Sequence, residues 1–142
     1  MYIERVTEIN DKILEAFQYF IPELTNEKDR VPTTEDLERV ISSSNNHLLI
    51  AKDGDVILGT LTLVFYKVPS GIKAWIEDVI VSDEARGKGV ANALIWHAIN
   101  IAQENQAEKV DLSSSPWREA ANNLYLKLGF QKRDSNMYRL FI

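Results

Sequence analysis

Hydrophobic residues recur along the chain with two different periods, and these periods predict an ordered series of strands and helices. Period-two or continuous apolar runs predict strands at residues 2–6, 47–52, 56–66, 72–81, 109–113, 130–133 and 136–141. Helical spacing predicts one helix from about residue 9 that Pro22 ends and a short one from Thr33 or Thr34. It predicts two further helices at residues 88–105 and 117–128, the second ending at Gly129.

Turn signals fix how these elements connect. Asp53-Gly54-Asp55 is a tight hairpin signal, and residues 69–71 predict a second turn, so residues 47–81 form an antiparallel meander. A strand, a helix and a strand then follow over residues 72–113, which predicts one parallel pair. The predicted fold is a mixed α/β sheet, mostly antiparallel, with helices packed on both faces.

The length of 142 residues suits a single domain over residues 1–142, and a composition with 45% apolar and 26% charged residues is typical of an ordinary soluble globular protein. No apolar run reaches the roughly 20 residues of a membrane span, and the first ten residues do not resemble a signal peptide. The chain has no cysteine, which excludes disulfides, zinc–thiolate sites and a cysteine nucleophile. This composition agrees with a cytoplasmic location.

The net charge of −5 narrows the possible partners. Nucleic acids and anionic membranes need a positive field, so neither is expected as a partner. A cationic, amine-bearing molecule is compatible with the charge. The two histidines, His47 and His97, match no metal-binding spacing, and no metal site is predicted.

The segment IEDVIVSDEARGKGVA, residues 76–91, joins an apolar strand to a long helix through a glycine-bearing turn. A helix start has unpaired N–H groups and a partial positive charge, so this turn suits a polyphosphate. The dinucleotide fingerprint fails because Asn92 stands where its third glycine belongs, and the Walker loop fails as well.

Two blocks of residues resemble the GCN5-related N-acetyltransferase (GNAT) family. Arg86-x-x-Gly89-x-Ala91 matches the family's pyrophosphate signature, and residues 121–130 match its A-x-x-L-Y-x-x-x-G-F helix. Residues 76–89 also resemble the corresponding strand of glucosamine-6-phosphate N-acetyltransferases. Glucosamine phosphate itself is disfavoured as the acceptor, because no second phosphate-binding cluster is evident.

The resemblance implies a bound acetyl-CoA in a gap between the strands at 76–81 and 109–113. Its pantetheine arm would contact the backbone of Val79, Ile80 and Val81. Its diphosphate would lie against the turn and helix start, whose candidate binding residues are Arg86, Gly87, Lys88, Gly89, Val90, Ala91 and Asn92. Arg118 replaces an asparagine that contacts the cofactor in many relatives; it either reaches the phosphates or is solvated.

The implied reaction is direct acetyl transfer to a primary amine of a small molecule or peptide, in a ternary complex without a covalent enzyme intermediate. Tyr125 is the candidate acid for the leaving thiolate, unless its ring only packs in the core. Glu77 is the candidate base, with a water chain as the alternative. Strand alternation places Asp78 on the opposite face, and either carboxylate could be the one that faces the acceptor. Either carboxylate could instead bind a cationic substrate or form an ion pair.

Three other possibilities stay open at the level of sequence. The chain could be a non-catalytic acyl-CoA-binding or regulatory module, or an interaction domain without affinity for coenzyme A. The family often dimerises, so a homodimer is a further hypothesis, with the predicted C-terminal strand at residues 137–142 as an exposed edge for the partner.

Overall fold

The computed structural model describes residues 1–142, which form two compact units, Met1–Leu112 and Ser113–Ile142. The first unit contains the sheet and its helices, which are β1 (Tyr2–Arg5), α1 (Asp11–Thr25), α2 (Thr34–Ile41), β2 (Asn46–Asp53), β3 (Val56–Val68), β4 (Gly71–Val81), a 3₁₀ turn (Asp83–Ala85), α3 (Val90–Glu104) and β5 (Val110–Asp111). The second unit contains α4 (Glu119–Lys127). The expectation of one domain over residues 1–142 stays a prediction.

The sheet has five strands in the order β1-β2-β3-β4-β5. Every neighbouring pair is antiparallel except β4 and β5, which are parallel and pair at Ala74 with Val110 and at Trp75 with Asp111. The mixed sheet with one parallel pair is therefore confirmed, although β5 is only two residues long.

Helices of the first unit cover both faces of the sheet. Leu48 and Ile50 of β2 share a buried cluster with residues of α1 and α2. Gly59 of β3 faces α3, since a Cβ atom at Gly59 would lie 3.2 Å from Cγ1 of Val90. None of the helices has the length and hydrophobicity needed to cross a membrane.

The predicted end of the first helix at Pro22 is wrong, because α1 continues through Pro22 to Thr25. Proline removes one backbone donor, a cost that packing can outweigh. Phe17 and Phe20 are buried on this helix, and the hydroxyl of Thr25 donates to the carbonyl of Ile21 at 2.9 Å. Asn26, in the left-handed conformation, ends the helix instead.

The predicted strands at residues 130–133 and 136–141 are also wrong, since residues 130–142 form no strand. A strand exists only where a neighbouring backbone completes its hydrogen bonds. An alternating sequence supplies the side chains for a sheet but not that partner. Residues 131–142 are exposed in the structure.

Candidate functional site

A β-bulge interrupts β4 at the acidic pair. Glu77 pairs with Thr62 of β3, but the next pair joins Ile80 to Thr60, so β4 has one residue more than β3 at this point. Asp78 has a φ of 53°, a left-handed conformation that is uncommon outside glycine. A bulge changes the direction of the side chains around it. The prediction that Asp78 lies on the face opposite Glu77 assumed regular alternation, and this assumption does not hold at the bulge.

The carboxyl group of Glu77 has an altered affinity for protons. Burial raises its pKa above the ordinary value of 4.5, the charge of Asp78 raises it further, and a hydrogen bond with the side chain of Trp75 opposes both effects. Burial also raises the pKa of Asp78. Both residues are exposed at the surface, so a solute can reach a carboxylate that binds protons more readily than usual.

The raised pKa of Glu77 predicts that Glu77→Gln stabilises the fold at neutral pH. Between the unfolded pKa and the raised folded pKa the native state with Glu77 binds more protons than the unfolded state, so the unsubstituted protein loses stability as the pH rises through the folded value. Gln stays neutral and can still accept the hydrogen bond. We expect a gain of about 0.5 kcal/mol at pH 7, the scale of partly exposed charges, and a smaller gain at pH 4.

Urea unfolding at both pH values measures this gain, with Glu104→Gln as the control at an exposed glutamate of α3. A loss of stability at pH 7 would show that the Glu77 carboxylate forms favourable interactions that its pKa does not reflect.

Beyond the acidic pair, β4 has an open edge. Its ladder to β5 ends at Trp75 and Asp111, whereas β4 itself continues to Val81. Val79, Ile80 and Val81 are half-buried on this part of the strand. Backbone groups that β5 does not pair are available to another ladder of hydrogen bonds on that side.

The start of α3 follows after a turn that two glycines shape. Gly87 and Gly89 have φ values of 76° and 78°, and a Cβ atom at either position would meet no atom within 4 Å. The helix begins at Val90, not at Lys88 as predicted, and Gly89 is its N-cap. The space above both glycines therefore admits a ligand directly to the backbone.

The first turn of α3 has unpaired donors. Ala93 donates to the carbonyl of Gly89 at 3.0 Å, so the N–H groups of Val90, Ala91 and Asn92 precede the intrahelical ladder. Burial of the Val90 side chain anchors this turn to the sheet. The fixed N–H groups and the helix dipole together favour an anion.

The turn before α3 contains two cations, Arg86 and Lys88. Arg86 forms an ion pair with Asp83 at 2.9 Å, and both side chains are exposed. Lys88 is also exposed.

The interpretation of the sequence missed Asp83, although its spacing of three residues from Arg86 was a usable signal. It also missed the contact between Trp75 and Glu77, which their i, i+2 positions on one strand face would have suggested.

In the second unit, Tyr125 is a buried residue of α4. Its ring contacts Phe130 at a centroid distance of 5.9 Å. Burial raises the pKa of the Tyr125 hydroxyl above 10.0, and the positive charge of Arg118 opposes this rise. The phenol is consequently protonated at neutral pH and able to donate a proton.

Arg118 occupies the N-cap position of α4. Its carbonyl accepts hydrogen bonds from the backbone N–H of Asn122 at 3.0 Å and from Nδ2 of Asn122 at 2.9 Å. Nδ2 also donates to the carbonyl of Ser115 at 3.0 Å. The turn before α4 is thus fixed by one asparagine, and the fixed turn places Arg118 close enough to influence Tyr125.

The predicted site residues fall into two groups. The first unit brings together Glu77, the open edge at 79–81 and the turn and helix start at 86–92. The second unit brings Tyr125 and Arg118 together. Of the histidines, His97 is exposed, and the half-buried ring of His47 packs against Phe65 at 5.4 Å.

Comparison with solved structures confirms the fold. A putative acetyltransferase from Agrobacterium tumefaciens aligns with a TM-score of 0.85 and 18% identity over 99% of this chain and 100% of the other. An aminoglycoside acetyltransferase from an uncultured soil metagenomic sample aligns with a TM-score of 0.83 and 19% identity over 99% of this chain and 98% of the other.

Comparison with curated sequences gives relatives with longer chains. N-acetyltransferase 8B of Rattus norvegicus is 32% identical over 94 residues, which are 65% of this chain and 42% of the relative. The chain spans just under half of the length of the curated relatives that it matches. The narrower resemblance to glucosamine-6-phosphate N-acetyltransferases stays a prediction. A sequence model of the acetyltransferase (GNAT) family matches residues 11–130, and the chain therefore belongs to this family.

Proposed function

We propose that the protein is an N-acetyltransferase that transfers an acetyl group from acetyl-CoA to a primary amine by direct attack in a ternary complex. One observation carries the proposal. The start of α3 has unpaired N–H groups next to two left-handed glycines with open space above them, and the strand before this turn, β4, has an edge that β5 leaves open. A diphosphate can bind to the N–H groups at the helix start, and an amide-rich arm can form hydrogen bonds with the open edge of β4.

The residues present fit acetyl-CoA. The backbone of Val79, Ile80 and Val81 offers donors and acceptors to the pantetheine amides. The diphosphate-binding groups would be the N–H groups of residues 87–92, assisted by the charges of Arg86 and Lys88. Arg118 is a further candidate for the phosphates, because guanidinium groups bind them with two parallel hydrogen bonds. When bound, acetyl-CoA supplies an acetyl group activated as a thioester.

Glu77 and Tyr125 would handle the two protons of the reaction. As the amine nitrogen bonds to the acetyl carbon, Glu77 accepts the proton that the nitrogen loses, directly or through one water. As the carbon–sulfur bond breaks, Tyr125 donates its proton to the sulfur. The raised pKa values support both assignments, since a carboxylate with a raised pKa is a stronger base and a phenol with a raised pKa keeps its proton at neutral pH.

The acceptor is proposed only as a class, an amine that carries positive charge in water. The adjacent carboxylates of Glu77 and Asp78 and the net charge of −5 support a cationic molecule. Amines of aminoglycosides, short peptides and small polyamines would form the first screen. We propose further that the protein is a homodimer, which the exposed apolar side chains of residues 137–142 support. A cytoplasmic location stays a prediction.

Calorimetric titration with acetyl-CoA, followed by thiol release in the presence of each amine, tests the proposal. Saturable binding and acceptor-dependent thiol release would support it. Binding without release for every amine would favour a non-catalytic acyl-CoA-binding module. Absence of binding would contradict the proposed activity as a whole.

Glu77→Gln should lower kcat by about 100-fold, at the lower end of what a positioned acid or base contributes. In the native protein, kcat should rise with pH through a pKa above 4.5, because only the ionised carboxylate accepts a proton. This rise should disappear in the variant. Glu104→Gln is the matched control, and an unchanged pH profile in Glu77→Gln would assign the base elsewhere.

A further inference from the structure

A cavity of about 370 Å³, the hairpin cavity, lies between the end of α3 and the hairpin that joins β3 to β4, and all its lining residues belong to the first unit. It exists because β2 begins at Asn46, opposite Val64, whereas β3 continues to Val68. Beyond Val64 the loop before β2 takes the place of the strand, and the N–H of Phe65 donates to the carbonyl of Asn45 at 2.8 Å. The volume is within the range of small-molecule sites.

The hairpin cavity is separate from the proposed acetyl-CoA and amine sites of the first unit. The helix α3 begins at Val90 beside the glycine turn and ends 15 residues later at Glu104, which lines the cavity. These two helix ends lie about 22 Å apart. Phe65 also lies on the sheet face opposite Thr62, the partner of Glu77, because β3 and β4 keep a regular register from Thr62 onward.

Two opposite charges lie at the rim of the cavity, Lys67 of β3 and Glu104 of α3, and both side chains are exposed. None of the ion pairs of the protein includes either residue. The C-terminal end of α3 adds a partial negative charge on the side of Glu104. The remaining polar groups of the rim are neutral, and they belong to Ser44, Asn45, Asn105 and Gln106.

The floor of the cavity is apolar and uncharged. Phe65 is buried, Ile72 is half-buried, and the ring of His47 packs against Phe65 at a centroid distance of 5.4 Å. Burial lowers the pKa of His47 below its ordinary value of 6.5, and the charge of Arg5 lowers it further. The imidazole is therefore neutral at pH 7, and the floor suits an apolar group.

We propose that the hairpin cavity binds a free α-amino acid with an apolar side chain, whose carboxylate contacts Lys67 and whose ammonium group contacts Glu104. A zwitterion complements both free charges, whereas a simple anion would be repelled by Glu104 and a simple cation by Lys67. Its side chain would cover the rings of His47 and Phe65. The inference does not rest on the proposed acetyl transfer. Assays without this ligand do not involve the cavity, so Glu104→Gln remains the control for Glu77→Gln.

Proton NMR tests the proposal with L-phenylalanine as the probe, because the chain has two histidines and only His47 lines the cavity. The exposed His97 of α3 is an internal control, and His97→Gln assigns the two imidazole signals. We expect a saturable shift of the His47 signal at millimolar concentrations or below, without a shift of the His97 signal. Absence of a saturable shift at His47, or equal shifts of both signals, would overturn the proposal.

Two analogues that each lack one charge test the roles of the rim residues. Phenethylamine lacks the carboxylate and 3-phenylpropionate lacks the ammonium group, so each should bind at least about tenfold more weakly, the effect of one lost hydrogen bond to a charged group. Lys67→Gln should abolish the preference for L-phenylalanine over phenethylamine, and Glu104→Gln the preference over 3-phenylpropionate. Glu15→Gln, at an exposed glutamate of α1, should keep both preferences. Equal affinities of the native protein for all three ligands, or retention of either preference in its own variant, would overturn the proposed site.

Discussion

Gly89→Trp is expected to abolish measurable binding of acetyl-CoA while the protein stays folded. The space above Gly89 is open, so an indole introduced there meets no protein atom at its Cβ position and instead covers the N–H groups of the first turn of α3. Hydrogen bonds to charged groups contribute about 1.5–3 kcal/mol each. Loss of two of them would weaken binding by at least about 100-fold.

The same substitution also strains the backbone, and a second glycine separates this effect from binding. Gly54 lies in the hairpin between β2 and β3, has a φ of 59° and is equally open. Both Gly54→Trp and Gly89→Trp should cost about 1–2 kcal/mol of stability, the usual penalty of the left-handed conformation. Calorimetric titration should then show binding in Gly54→Trp only. Binding in both variants would place the diphosphate away from this turn.

Glycines in the turns are the reason why the strands beside them could be predicted from the sequence. Asp53-Gly54-Asp55 and Gly71 mark turns because their backbone requires conformations that few residues adopt, and the strands on either side of them were predicted to within two residues at each end. The turn before α3 follows the same logic. At these turns the conformational preference of glycine was sufficient to predict where the neighbouring elements meet.

Local preference was insufficient where distant contacts decide the outcome. Proline favours the end of a helix because it has no backbone N–H to donate. The burial of Phe17 and Phe20 on the same helix outweighs this preference at Pro22. The residues predicted as strands at 130–133 and 136–141 have suitable side chains but form no strand. A sequence pattern states which face of an element is apolar, and it does not state whether a partner is present.

The candidate site shows the same limit at the scale of one residue. Asp78 lies in the bulge, and its left-handed conformation is not typical of an aspartate inside a strand. The pattern of β4 therefore predicted regular alternation through Glu77 and Asp78. The pairing with β3 supplies the missing information, because only the register shows the extra residue.

Tyr125→Phe is expected to lower kcat by about 100-fold or more, within the range for a positioned general acid, while the KM for acetyl-CoA changes little. Phenylalanine keeps the ring and its contact with Phe130, so the substitution removes only the hydroxyl. Burial raises the pKa of this hydroxyl above 10.0, and the native protein should therefore show no alkaline loss of kcat from Tyr125 below that pH.

The measurement is the pH dependence of kcat in Tyr125→Phe and in Tyr19→Phe, a control at a partly exposed tyrosine of α1. If Tyr125 is the acid, the variant has a lower plateau, and the rise with pH that belongs to the base keeps its position, since removing the acid leaves the carboxylate unchanged. If kcat is unchanged and KM rises, Tyr125 contributes to binding and another group protonates the sulfur. If both constants equal those of the native protein, Tyr125 serves only to pack its ring against Phe130, and the thiolate leaves without assistance from the phenol.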